Sequence, residues 1–137
     1  MVNTHLKIVT STRLVRIPAN YIVYIKARAN YCDIYLLGNQ QGKDNIITVT
    51  WQLGQIITMI QEQLPDFTYM FARVGKSLVV NANYIVDIDL ISKIMILVDH
   101  KFNKYDVKAS RDALKQIKEQ LEQREKILEQ RKQQKSL

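Results

Sequence analysis

FARVGKSLVVNANYIVDID, residues Phe71 to Asp89, is the stretch that decides the fold. Tyr69 to Val74 (YMFARV) has strand texture. Leu78, Val79 and Val80 form a short apolar run, and Tyr84 to Ile88 (YIVDI) is strand-like again. The runs are short and rich in β-branched and aromatic residues, which fit a pleated, half-buried surface. Small polar clusters break them at Gly75–Ser77 and Asn81–Asn83.

The same texture extends in both directions. Toward the C-terminus, Lys93 to Val98 (KIMILV) and Lys104 to Lys108 (KYDVK) are strand candidates, with His100 to Asn103 as the turn between them. Toward the N-terminus, Leu14 to Ile17 is stopped by Pro18. Ile22 to Lys26, Asp33 to Leu37 and Ile46 to Val49 follow. The last two are expected to pair as a hairpin across the turn cluster Gly38 to Asn45. Ala27 to Tyr31 (ARANY) reads as a polar connection.

Two segments change period. Leu53, Ile56, Ile57, Ile60 and Leu64 share one helical face. Thr50 is the expected N-cap and Pro65 marks the end. From Ser110 onward the chain is charged and free of Gly and Pro, with Ser110 as N-cap and Asp112 in the first turn. Leu114, Ile117, Leu121 and Leu128 follow a rough heptad that Arg124 interrupts. Docking of the first turns on the domain, followed by a solvated helix that frays after residue 130, is one reading. Dimerisation through the tail is the other. The expected architecture is mainly β: short antiparallel strands in small sheets with one amphipathic helix and a C-terminal helix. The division is 1–110 for the domain and 111–137 for the charged helical tail.

The 137 residues suit a single core. Net charge is +7, and residues 1–110 alone carry 12 Lys and Arg against 8 Asp and Glu. A basic excess favours polyanions through counterion release. No apolar run reaches bilayer or signal-peptide length. A single cysteine, Cys32, precludes an intrachain disulfide and reads as a small apolar filler. These features point to a cytoplasmic protein without a membrane association. His5, His100 and Cys32 share no metal-ligand spacing, and no nucleophile-elbow, P-loop or dinucleotide fingerprint occurs. Asp87 and Asp89 share a strand face and read as an exposed strand end. No cofactor and no enzymatic activity are expected.

The order of the runs resembles the LytTR-type DNA-binding domain, which ends many bacterial response regulators. IVYIKARANYCDIYLL, the helix after Trp51, FARVGKSLVVNANYIVDID and VKASRDALKQI match in sequence order, over roughly Ile8 to Ile117. The central block offers Phe71, Arg73, Gly75, Lys76, Ser77, Val79, Val80, Asn81 and Ile85 against the family pattern. Gly75 stands where His is commonest. The resemblance implies short antiparallel strands in small sheets, with loops that enter successive major grooves of repeated promoter motifs. No receiver domain precedes the module, so it reads as a stand-alone regulator of double-stranded DNA.

The resemblance also implies the contact residues. Base reading needs long donors or amides at loop tips. Lys76 stands in the central contact loop, with Arg73 nearby to reach a phosphate or brace the loop through a carboxylate. Arg111 opens the final helix, where the family places a base-contacting arginine. Arg28, Asn30 and Tyr31 form the third loop, and Lys26 is a phosphate candidate. Ser77 and Asn81 are expected to shape loops by bonding to backbone, and Ser110 to cap the helix. A homodimer on DNA is compatible with repeated sites. The competing reading is a protein-interaction module that uses the helical tail and has lost base reading.

Overall fold

The computed structural model describes residues 3–38 and 45–135. In chain order these form β1 (His5–Val9), β2 (Leu14–Pro18), β3 (Ile22–Arg28), β4 (Tyr31–Leu36), β5 (Ile46–Val49), α1 (Leu53–Gln63), β6 (Phe71–Val74), β7 (Leu78–Asn81), β8 (Ile85–Asp89), β9 (Ile94–Val98), β10 (Lys104–Lys108) and α2 (Arg111–Lys135). Five strands make an antiparallel sheet in the order β5-β4-β3-β7-β6. A hairpin, β1-β2, and a three-stranded sheet, β10-β9-β8, complete the β structure.

The composition of β3 and β7 explains their central place. All four residues of β7 are buried, as are Ile22 to Ile25 of β3. Strands covered on both faces lose the apolar–polar alternation. Val79 enters a core with Ile22, Ile25, Ile34, the β1-β2 hairpin and α1. Leu78 and Val80 enter a second core with Met95, Leu97, Val107, Leu114 and Ile117. The five-stranded sheet therefore separates two cores, one closed by α1 and the other by α2.

The buried polar groups are satisfied, as burial requires. Asn81 donates to the Ile22 carbonyl at 3.1 Å and accepts the Asn83 N–H at 3.0 Å, the backbone role expected of it. Asp99 accepts the N–H groups of Lys101 and Asn103 and the Tyr105 hydroxyl at 2.8, 3.0 and 2.8 Å. Burial opposes its ionisation, but the Tyr105 and Asn103 bonds prevail and hold it below the ordinary carboxylate value. Cys32 is fully buried as a filler, and burial pushes its thiol upward. Asp89 accepts the Ile91 and Ser92 N–H groups and so caps the β8-β9 turn.

The mainly β architecture, the hairpin of β4 with β5 and both helices agree with the sequence reading. Several boundaries do not. β1 is an additional strand, whose Leu6 and Ile8 point into the α1-side core. Gln52, not Thr50, is the N-cap of α1: its N–H donates to the Gln55 side-chain oxygen at 2.9 Å. Tyr69 and Met70 belong to a 3-10 turn begun by Pro65, and Tyr84 ends another that separates β7 from β8. Lys93 takes φ 60° in the turn before β9, so that strand starts one residue later. Most of the expected Gly38–Asn45 turn cluster lies outside the described residues.

Ser110 accepts the Ala113 N–H at 3.2 Å and caps α2 as expected. Ala113, Leu114 and Ile117 are buried. Farther along, Arg124 does not merely break the heptad: it donates to the Tyr69 carbonyl at 3.3 Å. Beyond it, Ile127 and Leu128 are exposed, and the helix continues to Lys135.

Candidate nucleic-acid interface

Three of the segments singled out in the sequence meet at one end of the five-stranded sheet. The first is the tip between β3 and β4. ARANY is not an open loop: Ala27 and Arg28 extend β3, Tyr31 begins β4, and Arg28 pairs with Tyr31 in register. Only Ala29 and Asn30 form the turn, and Ala29 takes φ 53°, a left-handed conformation that side chains disfavour. Asn30 is thereby thrust outward at the tip, exposed and without a hydrogen bond among the described residues.

The second segment is Gly75-Lys76-Ser77, which joins β6 to β7. Val74 pairs with Leu78, so three residues close the hairpin, with Gly75 at φ 63°. Arg73 donates to the Lys76 carbonyl at 3.3 Å. It braces the loop, but through a carbonyl and not through a carboxylate. Lys76 is exposed and has no ion pair among the described residues. The Ser77 carbonyl accepts the Ala27 N–H at 2.8 Å, which ties this loop to the β3-β4 tip. Ser77 thus shapes the loop with its backbone, while its hydroxyl makes no hydrogen bond among the described residues.

The third segment is the start of α2. A Cβ on Gly75 would lie 3.3 Å from the Ala113 Cβ, so the loop rests against the first turn of the helix. The left-handed φ and this close approach both favour glycine at this position. Arg111, the first helical residue, is exposed and unpaired among the described residues.

Arg28 is the exception among the candidate cations. Its Nε and Nη2 donate to the Asp33 carboxylate at 3.0 and 3.3 Å, and its guanidinium lies 5.8 Å from the Tyr31 ring centroid. Thr48 donates to the same carboxylate at 2.7 Å. The Arg28 bond is the main reason the Asp33 carboxyl sits below its ordinary value, and it raises Arg28 in turn. Asp33 and Thr48 were not among the residues singled out from sequence. Their pairing is a matter of strand register, Asp33 opposite Thr48 and Lys26 opposite Asp33.

Lys26, Arg28 and Tyr31 therefore share one face of the rim. Arg73 pairs with Val79 and so stands on the other face, toward α1. The arrangement presents amide, ammonium and guanidinium donors side by side, which is chemistry suited to base edges and phosphate oxygens. Among the described residues no helix is long and apolar enough to cross a membrane.

The model of the LytTr DNA-binding domain family matches residues 12–122, a span that takes in every one of these positions. Among solved structures, a LytTr DNA-binding domain from Bacillus cereus is similar, with a TM-score of 0.55 and 17% identity. The likeness covers 86% of this chain and 96% of that one, and is a likeness of fold. No curated protein matches the chain.

Proposed function

The chain belongs to the LytTr DNA-binding domain family, and from that premise we propose that it is a cytoplasmic transcription regulator that reads duplex DNA sequence-specifically through the loops at this rim. One observation carries the reading: the Lys76 loop is tied to the Asn30 tip by Ala27–Ser77 and rests on the first turn of α2 at Ala113. Three segments distant in sequence thus form one donor-bearing edge. Lys76 and Arg111 are exposed cations of this edge with no ion pair among the described residues. Each can donate to guanine O6 and N7 in the major groove, and Asn30 has the amide geometry that suits adenine.

Arg111 is informative for a second reason. A cation at a helix N-terminus opposes the macrodipole, and the side chain makes no bond among the described residues that would offset this. That placement supports a role in binding and not in the fold. Arg28 takes a supporting part: the Asp33 carboxylate fixes its guanidinium and leaves fewer donors for DNA. Lys26 and Arg73 supply phosphate contacts from opposite faces of the rim.

Selection of bound duplexes from a random pool tests the proposal, with the Lys76→Ala/Arg111→Ala protein run in parallel. Enrichment of a short motif by the unaltered protein alone supports it. The absence of enrichment at low as well as moderate salt refutes it. It would favour the second reading, a partner-binding module, for which the exposed Ile127 and Leu128 on α2 speak.

A further inference from the structure

The rim continues past these three segments to the β1-β2 turn, which nothing above assigns. Arg13 closes that turn and donates from Nη1 to the Thr48 carbonyl at 2.8 Å. Thr48 donates to Asp33, and Asp33 accepts Arg28. A polar chain therefore runs Arg13–Thr48–Asp33–Arg28 and ends at the Asn30 tip, which places Arg13 at the same end of the sheet.

Arg13 is exposed and pairs with no carboxylate among the described residues. A guanidinium has five donors, and the Thr48 carbonyl takes one of them. With Thr12, Thr50 and Trp51 it lines an open cleft of about 160 Å³. The Thr12 and Thr50 hydroxyls are also exposed and free of side-chain bonds among the described residues. A guanidinium flanked by hydroxyls matches the oxygens of a phosphate.

The spacing indicates which phosphate. The Gly75–Ser77 loop sits at β6 and β7 and the cleft at β5, on opposite flanks of the sheet. With strands about 4.8 Å apart, the two are separated by roughly 17 Å. The major groove is about 12 Å wide. That separation exceeds the groove width, so a duplex that takes Lys76 into its groove has room for Arg13 outside it, at the level of the backbone phosphates.

We propose that the β1-β2 turn is a fourth contact, in which Arg13, with Thr12 and Thr50, holds a backbone phosphate flanking the bases read. This rests on the DNA-binding reading above. It assigns Arg13 to affinity and register, not to base choice.

The test is a salt titration of binding by the full chain, on a selected duplex and on a scrambled one. Removing one phosphate contact lowers the slope of log K against log salt by about 0.9, worth up to about eightfold in affinity at 0.1 M salt. Arg13→Ala is expected to show that loss equally on both duplexes, with the selected motif unchanged. Arg13→Lys is expected to keep the slope. Arg13→Gln, which retains a donor for the Thr48 carbonyl, is expected to lose it, and so separates phosphate binding from bracing of the β5 edge. An unchanged slope in Arg13→Ala, or a loss confined to the selected duplex, overturns the inference while the DNA-binding reading stands. Failure of the unaltered protein to bind any duplex at low salt overturns both.

Discussion

Replacing Arg111 with alanine is expected to move DNA affinity and fold stability in opposite directions. Arg111 is exposed, forms no hydrogen bond or ion pair among the described residues, and occupies the first position of α2. Its truncation removes no packing. It does remove a cation from the positive end of a helix dipole, an unfavourable placement worth about 0.3–1 kcal/mol. For a chain of this size that corresponds to a Tm raised by roughly 1–4 °C. A bidentate contact to guanine contributes about 1–3 kcal/mol of discrimination, so binding to the selected motif is expected to weaken by about 5- to 150-fold. Thermal unfolding by circular dichroism and fluorescence anisotropy on matched and scrambled duplexes measure the two quantities. A Tm lowered by several degrees would mean that Arg111 holds the fold together. An equal loss on both duplexes would mean that it touches only phosphate. Either result refutes the reasoning.

Two further outcomes follow from the geometry. Gly75→Ala forces a side chain into φ 63° and toward the Ala113 Cβ at 3.3 Å. The left-handed conformation alone costs about 1–2 kcal/mol, to be read by urea denaturation, and specific binding is expected to fall with it because the Lys76 loop shifts against α2. Asp99→Asn is expected to cost about 1.5–3 kcal/mol at neutral pH, the range for hydrogen bonds to a charged group. Asp99 is held below its ordinary value in the fold, so its contribution is complete above that value and is lost as pH falls through the lowered one. Denaturation midpoints measured from pH 7 down to pH 2 are therefore expected to fall less steeply for Asp99→Asn than for the unaltered protein.

How far the sequence could be read depended on whether a feature was local. β3, β7, β9 and α1 announce themselves by composition or period, because their burial is nearly continuous or confined to one face. β1 alternates over only five residues, with Leu6 and Ile8 inward, and His5 and Lys7 dilute the signal. Thr50 is the better cap by residue type, yet Gln52 takes the position, its N–H satisfied by the side chain of Gln55 three residues on. The connection ARANY looked open because nothing local says that Arg28 pairs with Tyr31. The same limit hid the Asp33 carboxylate that holds Arg28. Thr48 lies fifteen positions from Asp33, and only the strand register brings them together. Lys76, Arg111 and Asn30 were legible as exposed donors. Their adjacency was not, since it depends on a backbone bond from Ala27 to Ser77 and on a glycine packed against a helix.

The division into two cores bears on synthesis. Every buried member of the α1-side core lies between Leu6 and Val79, so that half can close while the rest of the chain is still being made. The other core waits for Ala113, Leu114 and Ile117. Arg111 arrives on the same turn of helix. A nascent or truncated chain can thus be half packed, but it cannot present the full rim, and on the proposed reading completion of the fold and readiness to bind become a single event.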